Sequence, residues 1–470
     1  MHLRHPVVVG LLVALAAGGS ARAEPPRTLT QALAAAYANN PGLQAARAQL
    51  RAVDENVPQA LAGWRPQVTI SANAGYNQLN TVNHITSTYS APYNITTNRV
   101  LGTNTEQLVV TQPLWRGGAT RAATNRAKNQ VLSQRAQLMN SEQQLFSNVI
   151  NAFVNVIANR QVLALDVNNE QVLSKQLQAT RDRFRVGEIT QTDVAQAEAA
   201  LAGATATRQT AEGNLQTARS QFLQYVGELP GDLLPPQPIQ LPVRTLEQAR
   251  ALASANNPNV IAARFNDAAA KDAFDAAYAK LMPNLSLQGI LARTKDVSNA
   301  NTTERYGEIL ATLSMPLYQG GAEYAAIRQA RQQEEQARKL IADAQRTAVQ
   351  QVISAWETYN SAKSTLQSTR AQIHSNEIAL EGTEREAIVG TRTTLDVLNA
   401  EQLLLNSQVT LVQNLANLVG ASYSVAGAVG RLTARDLALP VPHYDETAYY
   451  KAVKDRLIGT GDYATDQPGR

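Results

Sequence analysis

The chain is one unit written twice, and that constrains its fold more than any other feature. TLTQALAAAYANNPGLQAARAQL, beginning at Thr28, returns as TLEQARALASANNPNVIAARFND at Thr245, an offset of 217 residues. Asn39-Asn40-Pro41 falls on Asn256-Asn257-Pro258, and Pro66 on Pro283. Further along the offset becomes 203: TQPLWRGGA, with Pro113 and Gly117-Gly118, matches SMPLYQGGA, with Pro316 and Gly320-Gly321. At the same offset RFRVGEITQTDV matches EAIVGTRTTLDV, pairing Gly187 with Gly390 and Asp193 with Asp396. Such self-similarity means two copies of one supersecondary unit. The change in offset falls between Pro66 and Pro113, where the first copy carries the extra polar stretch NHITSTYSAPYNITTN. An insertion confined to one place predicts an exposed loop there.

Each copy has the same internal order. Thr28 with Gln31, and Thr245 with Gln248, have the spacing of a capping box at the start of a short helix. Asn40-Pro41 and Asn257-Pro258 supply an Asn cap with proline at the first helical position. Pro66 or Pro283 ends the next helix. A strand follows: Val68, Ile70, Ala72, Ala74 and Tyr76 alternate with Thr69, Ser71, Asn73, Gly75 and Asn77. That is period two over the 9–11 residues, roughly, of a tilted membrane strand. The second copy alternates more weakly, Leu285, Leu287, Gly289 and Leu291 against Ser286, Gln288, Ile290 and Ala292. Trp64, Tyr76, Trp115, Tyr306 and Tyr318 lie near strand ends, where an aromatic girdle would sit. Two soluble hairpins would give the same alternation, so the pattern by itself leaves both readings open.

The rest of each copy reads as very long helix, with no proline between Pro113 and Pro230 or between Pro316 and Pro440. Apolar residues recur every seven positions: Val149, Val156, Leu163, (Glu170), Leu177, Phe184, and in the same phase Val352, Tyr359, Leu366, Ile373, Leu380, Ala387. Sustained heptads mean coiled-coil packing. Val186-Gly187 and Val389-Gly390 break these helices, glycine being suited to a left-handed C-terminal cap.

The organisation expected is a signal peptide over 1–23, a first repeat over 24–227, an inter-repeat linker over 228–244, a second repeat over 245–430 and a C-terminal segment over 431–470. Strands are expected near 66–78, 104–115, 284–293 and 305–317, and long helices near 119–185, 191–226, 322–388 and 394–429. The leader reading rests on Arg4 and His5, the apolar run Val7–Ala17 and the site Ala21-Arg22-Ala23 before Glu24. Eleven apolar residues are too few to span roughly 30 Å of hydrocarbon as a helix. No later stretch reaches 18 apolar residues, so if the mature chain crosses a membrane it uses β-strands.

Each half therefore joins a β-hairpin to a helical hairpin roughly 100 Å long, a tandem repeat whose fold class is an α+β membrane protein if the strands lie in lipid. Four strands cannot close a barrel, since small barrels need about eight, and strands in lipid leave no open edge. Several copies would have to share one barrel, and two, three or four of them satisfy the pattern equally.

This organisation resembles the TolC family of outer-membrane efflux and secretion channels over about residues 28–430, on the doubled NNP, the PLW/YxGG corner, RFRVGEITQTDV and VGTRTTLDVLNAE. The resemblance implies a homotrimer with one 12-stranded barrel, a periplasmic α-barrel and a collar made by the linker and C-terminal segment. It places the protein in the outer membrane of a Gram-negative bacterium, as the passive exit duct of a tripartite efflux pump or type I secretion system. A periplasmic membrane-fusion adaptor and an inner-membrane pump of ABC or RND type would be its partners. By the same resemblance the adaptor docks on Val186, Gly187, Glu188, Thr190, Val389, Gly390 and Thr391. Asp396 maps to the constriction-ring aspartate, and Asn399 stands where the best-matching member has a second aspartate, which implies a weaker cation trap. Thr192, Asp193 and Arg392 map to the contacts that hold the entrance shut, an Arg392–Asp193 latch among them, while a family tyrosine is replaced by Ala387. Thr190-x-x-Asp193 and Thr393-x-x-Asp396 are also plain capping spacings, with the acid favoured by the helix dipole.

Other functions find little support. The absence of cysteine removes disulfides, thiolate metal sites and a cysteine nucleophile. A formal charge of +4, evenly scattered, does not argue for nucleic acid. His84, His374 and His443 are too scattered for a metal site. No catalytic constellation or phosphate-binding glycine loop is apparent, so neither an enzyme nor a cofactor is expected. A periplasmic coiled-coil adaptor without a pore is the alternative, but adaptors have one helical hairpin where this chain has two.

Overall fold

A computed structural model describes residues 25–297 and 299–461. The expected signal peptide and the last nine residues lie outside the described residues. Each copy opens on its caps. The Thr28 hydroxyl accepts from the Gln31 N–H and the Gln31 side chain accepts from the Thr28 N–H, which starts α1 (Leu29–Asn39). Asn40 then caps α2 (Pro41–Asp54): its Oδ1 accepts from Gly42 at 2.9 Å, while its Nδ2 donates to the Tyr225 carbonyl at 3.0 Å. Asn257 does the same in the second copy, accepting from Asn259 at 2.9 Å and donating to the Ala428 carbonyl at 3.4 Å. So the NNP motif both starts a helix and ties it to the end of the returning long helix.

A short α3 (Asn56–Leu61) leads into the first hairpin, β1 (Gln67–Ser87) and β2 (Ser90–Arg116). The second hairpin is β3 (Asn284–Lys295) and β4 (Thr303–Ser314), and the four strands form one antiparallel sheet in chain order. Pro113 is accommodated at a break in register against β3, where its missing N–H costs no ladder bond. The loop expected for the inserted stretch is not what forms. The insertion pairs with itself, Asn83 with Ile95 and Ile85 with Tyr93, and the turn is confined to Thr88 and Tyr89. Ile, Thr and Tyr suit a pleated ladder, so the extra residues lengthen both strands. The first hairpin thus outreaches the second by some 13 residues on β1, roughly 40 Å at about 3.3 Å each.

Register divides the sheet into two faces. One carries the rows Val68–Val110–Gly289–Ile309 and Ile70–Leu108–Leu291–Gly307. The other carries Thr69, Ser71, Asn73, Thr105, Gln107 and Gln288. Ile70, Ile309 and Leu313 are 78%, 81% and 69% exposed, a face no soluble chain leaves bare. Trp115 shares that face, opposite Leu285, but Tyr306 pairs with Ala292 and falls on the polar one.

Two 67-residue helices, α4 (Ala119–Arg185) and α8 (Ala322–Ile388), run roughly 100 Å away from the sheet. They return as α5 (Gln191–Val226) and α9 (Thr394–Ala428). The second repeat opens on α6 (Leu246–Asn256) and α7 (Pro258–Tyr278), the counterparts of α1 and α2, and the chain's last described helix is α10 (Ala448–Val453). Gly118 and Gly321, at φ 91° and 84°, turn each strand end into its long helix. The main core sits midway along α4, where Phe146, Val149, Ile150 and Phe153 pack with Phe222 and Val226 of α5, with Leu33 and Leu50, and with Leu233 of the linker. The C-terminal segment joins them through Leu432 and Leu439. Each such side chain contributes about 1.5–3 kcal/mol on leaving water.

The heptad residues divide by position. Val149, Val156 and Leu177 are buried, Leu163 packs against the core, and Phe184 at the helix end is 43% exposed. Glu170 fills its heptad position by pairing with Arg208 at 2.7 Å and accepting from the Thr205 hydroxyl at 2.7 Å. In α8 only Ala330, Ala348, Val352 and Thr369 are buried, although the helix is as long as α4. Although α8 packs against α6, α7 and α9, much of its length stays uncovered by the described residues.

The hairpin tips as candidate functional site

The ends of the helical hairpins farthest from the sheet hold the residues singled out by sequence. Both turns are built identically. Glu188 N–H bonds to the Arg183 carbonyl and Gly187 N–H to the Phe184 carbonyl, each at 3.0 Å. Thr391 repeats the first bond to Glu386 at 3.0 Å, and Gly390 the second to Ala387 at 3.2 Å. These are Schellman closures, and they demand the left-handed backbone that Gly187 (φ 82°) and Gly390 (φ 81°) adopt. Val186 and Val389, just before the glycines, are 72% and 73% exposed.

Each tip carries an ion pair, with the signs reversed. Arg183 Nε donates to Glu188 at 3.1 Å in the first, and Arg392 Nε donates to Glu386 at 2.9 Å in the second. By the repeat offset Glu386 stands where the first copy has Arg183. The structure therefore gives Arg392 a partner on its own hairpin. Asp193 bonds to Thr190 instead, and within the chain the two latch residues are not brought together.

Asp193 and Asp396 sit in complete capping boxes. Asp396 Oδ2 accepts the Thr393 N–H at 3.0 Å and its hydroxyl at 2.8 Å, and Asp193 repeats this with Thr190 at 2.9 and 2.7 Å. Those bonds hold both acids below the ordinary carboxylate range, led by the Thr393 N–H for Asp396 and by the Thr190 hydroxyl for Asp193. Both side chains are part-exposed and Asn399 and Thr192 are exposed. Two fixed negative charges thus stand at the same place in the two repeats.

One residue here escapes a reading by motif. Glu401 lies on the stripe of α9 that also carries Val397 and Leu405, both buried. Its Oε2 has no hydrogen-bond partner, and burial together with Glu384 raises its pKa to about 7. The signal was a carboxylate at the midpoint of an i, i+4, i+8 apolar stripe, visible only once the stripe's phase is known.

No helix among the described residues is long and apolar enough to cross a bilayer. Fold and site together define a membrane-anchored exit duct: a sheet with one bare apolar face, helices of roughly 100 Å below it, and acidic tips at the far end. The model of the outer membrane efflux protein family matches residues 32–228 and 249–431, one segment in each repeat, and the chain belongs to that family. It is similar to the outer membrane efflux protein BepC of Brucella suis biovar 1, 35% identical over 92% of this chain and 91% of that one. It is 25% identical to the outer membrane protein TolC of Escherichia coli K12, over 97% and 94% of the two chains. Among solved structures the CmeC outer membrane channel of Campylobacter jejuni superposes with a TM-score of 0.74 at 15% identity, covering 86% of this chain and 85% of that one. The protein is thus an outer-membrane duct whose helices extend into the periplasm, and the hairpin tips are its periplasmic end.

Proposed function

We propose that three copies of this chain close one 12-stranded barrel and that the acids at the hairpin tips gate the tube below it. The observation that carries the reading is the open sheet: among the described residues β1 and β4 are edges with no partner, and an unpaired edge is untenable in lipid. The sparsely covered α8 supports it, since neighbouring copies would supply the missing contacts. An acid facing the axis is repeated in each copy, and a ring of Asp396, without a second ring at Asn399, would favour cations modestly. Val186, Gly187, Glu188 and Thr190, with Val389, Gly390 and Thr391, form the surface for a periplasmic adaptor, through which an inner-membrane pump supplies the energy. The channel itself is a passive conduit.

Because the chain has no cysteine, pairs introduced on β1 and β4 report only neighbouring copies. Crosslinking in intact membranes should give a closed trimer with single-channel conductance. A species that stays monomeric and soluble without detergent would overturn the reading.

A further inference from the structure

We infer that the bare face of the sheet holds the phosphorylated glycolipid of the outer leaflet, its phosphate on Arg293 and Arg305 and an acyl chain over Gly307. The inference rests on the proposed barrel with its apolar face toward lipid. The helices leave the sheet at Arg116, Asn284 and Ser314, so that end is periplasmic, and the loop between Lys295 and Thr303 is the outer end. From Asn284 outward, nine residues along β3, the apolar rows stop at a single register row, Ala72–Glu106–Arg293–Arg305. That distance is about 30 Å along a strand, or a little over 20 Å of bilayer when tilted, which matches the height of a barrel's apolar band. The row lies at the outer headgroup level.

The row is unbalanced. Arg293 and Arg305 are directly opposite each other, and like charges so placed destabilise a sheet. Glu106 reaches Arg293 at 3.6 Å, one acid for two guanidinium groups, and Lys295 adds a third cation one row further out on the same face. On the polar face near this height the charges are Glu304 and Glu308. Cations are therefore sorted to the lipid side, where an anion is the missing partner. Guanidinium pairs match phosphate in bidentate fashion.

Directly below lies room for a tail. Gly307 removes a side chain from the row Ile70–Leu108–Leu291–Gly307, and the Leu291 side chain takes up part of that space, its Cδ2 3.1 Å from where a Cβ would be, with the shallow surface beside it left for a chain to lie on. The result is an open depression of about 530 Å³, lined by Ile70, Leu108 and Leu291 and bordered above by Arg293, Arg305 and Glu106. An apolar depression bordered by paired guanidiniums fits a phosphate joined to acyl chains, and it fits neither a free phosphate nor a neutral lipid.

Native mass spectrometry of the intact oligomer, titrated with diphosphorylated hexa-acyl lipid A, tests this. Wild type should bind it, and Arg293→Gln with Arg305→Gln should weaken binding about tenfold to a hundredfold, the worth of one or two charge-assisted hydrogen bonds. Gly307→Val, which fills the depression, should weaken it too. Should the arginine variant fail to assemble, the dephosphorylated lipid tests the same contact with unaltered protein. Equal binding of the dephosphorylated lipid, equal binding of phosphatidylglycerol, or an unchanged affinity in the arginine variant would each overturn the inference. Conductance recorded on the same samples separates this from failure of the barrel reading: a conducting oligomer indifferent to phosphate sinks only the lipid site.

Discussion

The Arg392 guanidinium donates to the Glu386 carboxylate at 2.9 Å, across the turn that ends α8, and its attraction to Asp396 adds to the same positive-charge stabilisation. This contact staples one hairpin tip; it does not join two. Arg392→Ala and Glu386→Gln should therefore alter conductance and tip stability by the same small amount, and the double variant by no more than either, as for an exposed pair. A planar-bilayer double-mutant cycle checks it. If Arg392→Ala instead couples to Asp193→Asn, the arginine reaches a neighbouring tip in the assembled tube.

Charge at the entrance should follow Asp396. Its carboxylate is held ionised by Thr393, so cation selectivity should persist as the pH falls to about 4 and fade only below the ordinary range. Reversal potentials in asymmetric salt should show reduced cation preference for Asp396→Asn. Asn399→Asp, by adding a second ring, should raise that preference and tighten block by trivalent cations. An unchanged reversal potential in Asp396→Asn would remove the residue from the conduction path.

Asp54 couples stability to pH. It is buried near Arg135, neither carboxylate oxygen has a hydrogen-bond partner among the described residues, and burial raises its pKa to about 7 despite the nearby arginine. Between about pH 4 and 7 the folded protein binds a proton that the unfolded chain has lost. Its stabilising contribution is complete below about pH 4 and is lost as the pH rises through 7, with a slope of at most about 1.4 kcal/mol per pH unit. Thermal unfolding of Asp54→Asn should lack this slope while wild type keeps it.

Two glycines at positive φ should respond to alanine very differently. At Gly390 an added Cβ meets nothing within 4 Å, so Gly390→Ala should cost only the left-handed backbone, about 1–2 kcal/mol, felt as fraying of the tip. At Gly117 the Cβ would lie 2.3 Å from Met282 Cβ and 2.7 Å from the Ala279 carbonyl. Gly117→Ala should block assembly, measured as loss of the membrane-inserted oligomer. Equal tolerance at both sites would contradict the packing of that corner.

The long hairpin beyond the bilayer should be dispensable for the pore. Replacing residues 83–95 by Asn-Gly keeps the pair Val82–Thr96 and supplies a tight turn. Conductance and oligomer yield should match wild type, and a collapse of either would mean that the extension helps to close the barrel.

What the sequence determined by itself is whatever is encoded within a few neighbouring residues. Thr28 with Gln31, Asn40 with Pro41, Thr393 with Asp396 and the Val-Gly turns are closed by hydrogen bonds spanning at most five residues, so spacing alone was enough to read them. The repeat then copied each device into the second half. The tertiary structure decided everything that depends on partners far apart in the chain. NHITSTYSAPYNITTN read as a loop because it is an insertion confined to one place in one copy, and it became strand because its two halves found each other in register. Arg392 chose Glu386 over Asp193 because the turn geometry brought the nearer carboxylate within reach. Glu401 acquired its unpartnered burial from the packing of α9, and the Glu106–Arg293–Arg305 row exists only because two hairpins almost 200 residues apart align side by side. Caps and turns are local equilibria of the backbone, whereas register and burial are settled by which distant surfaces exclude water together.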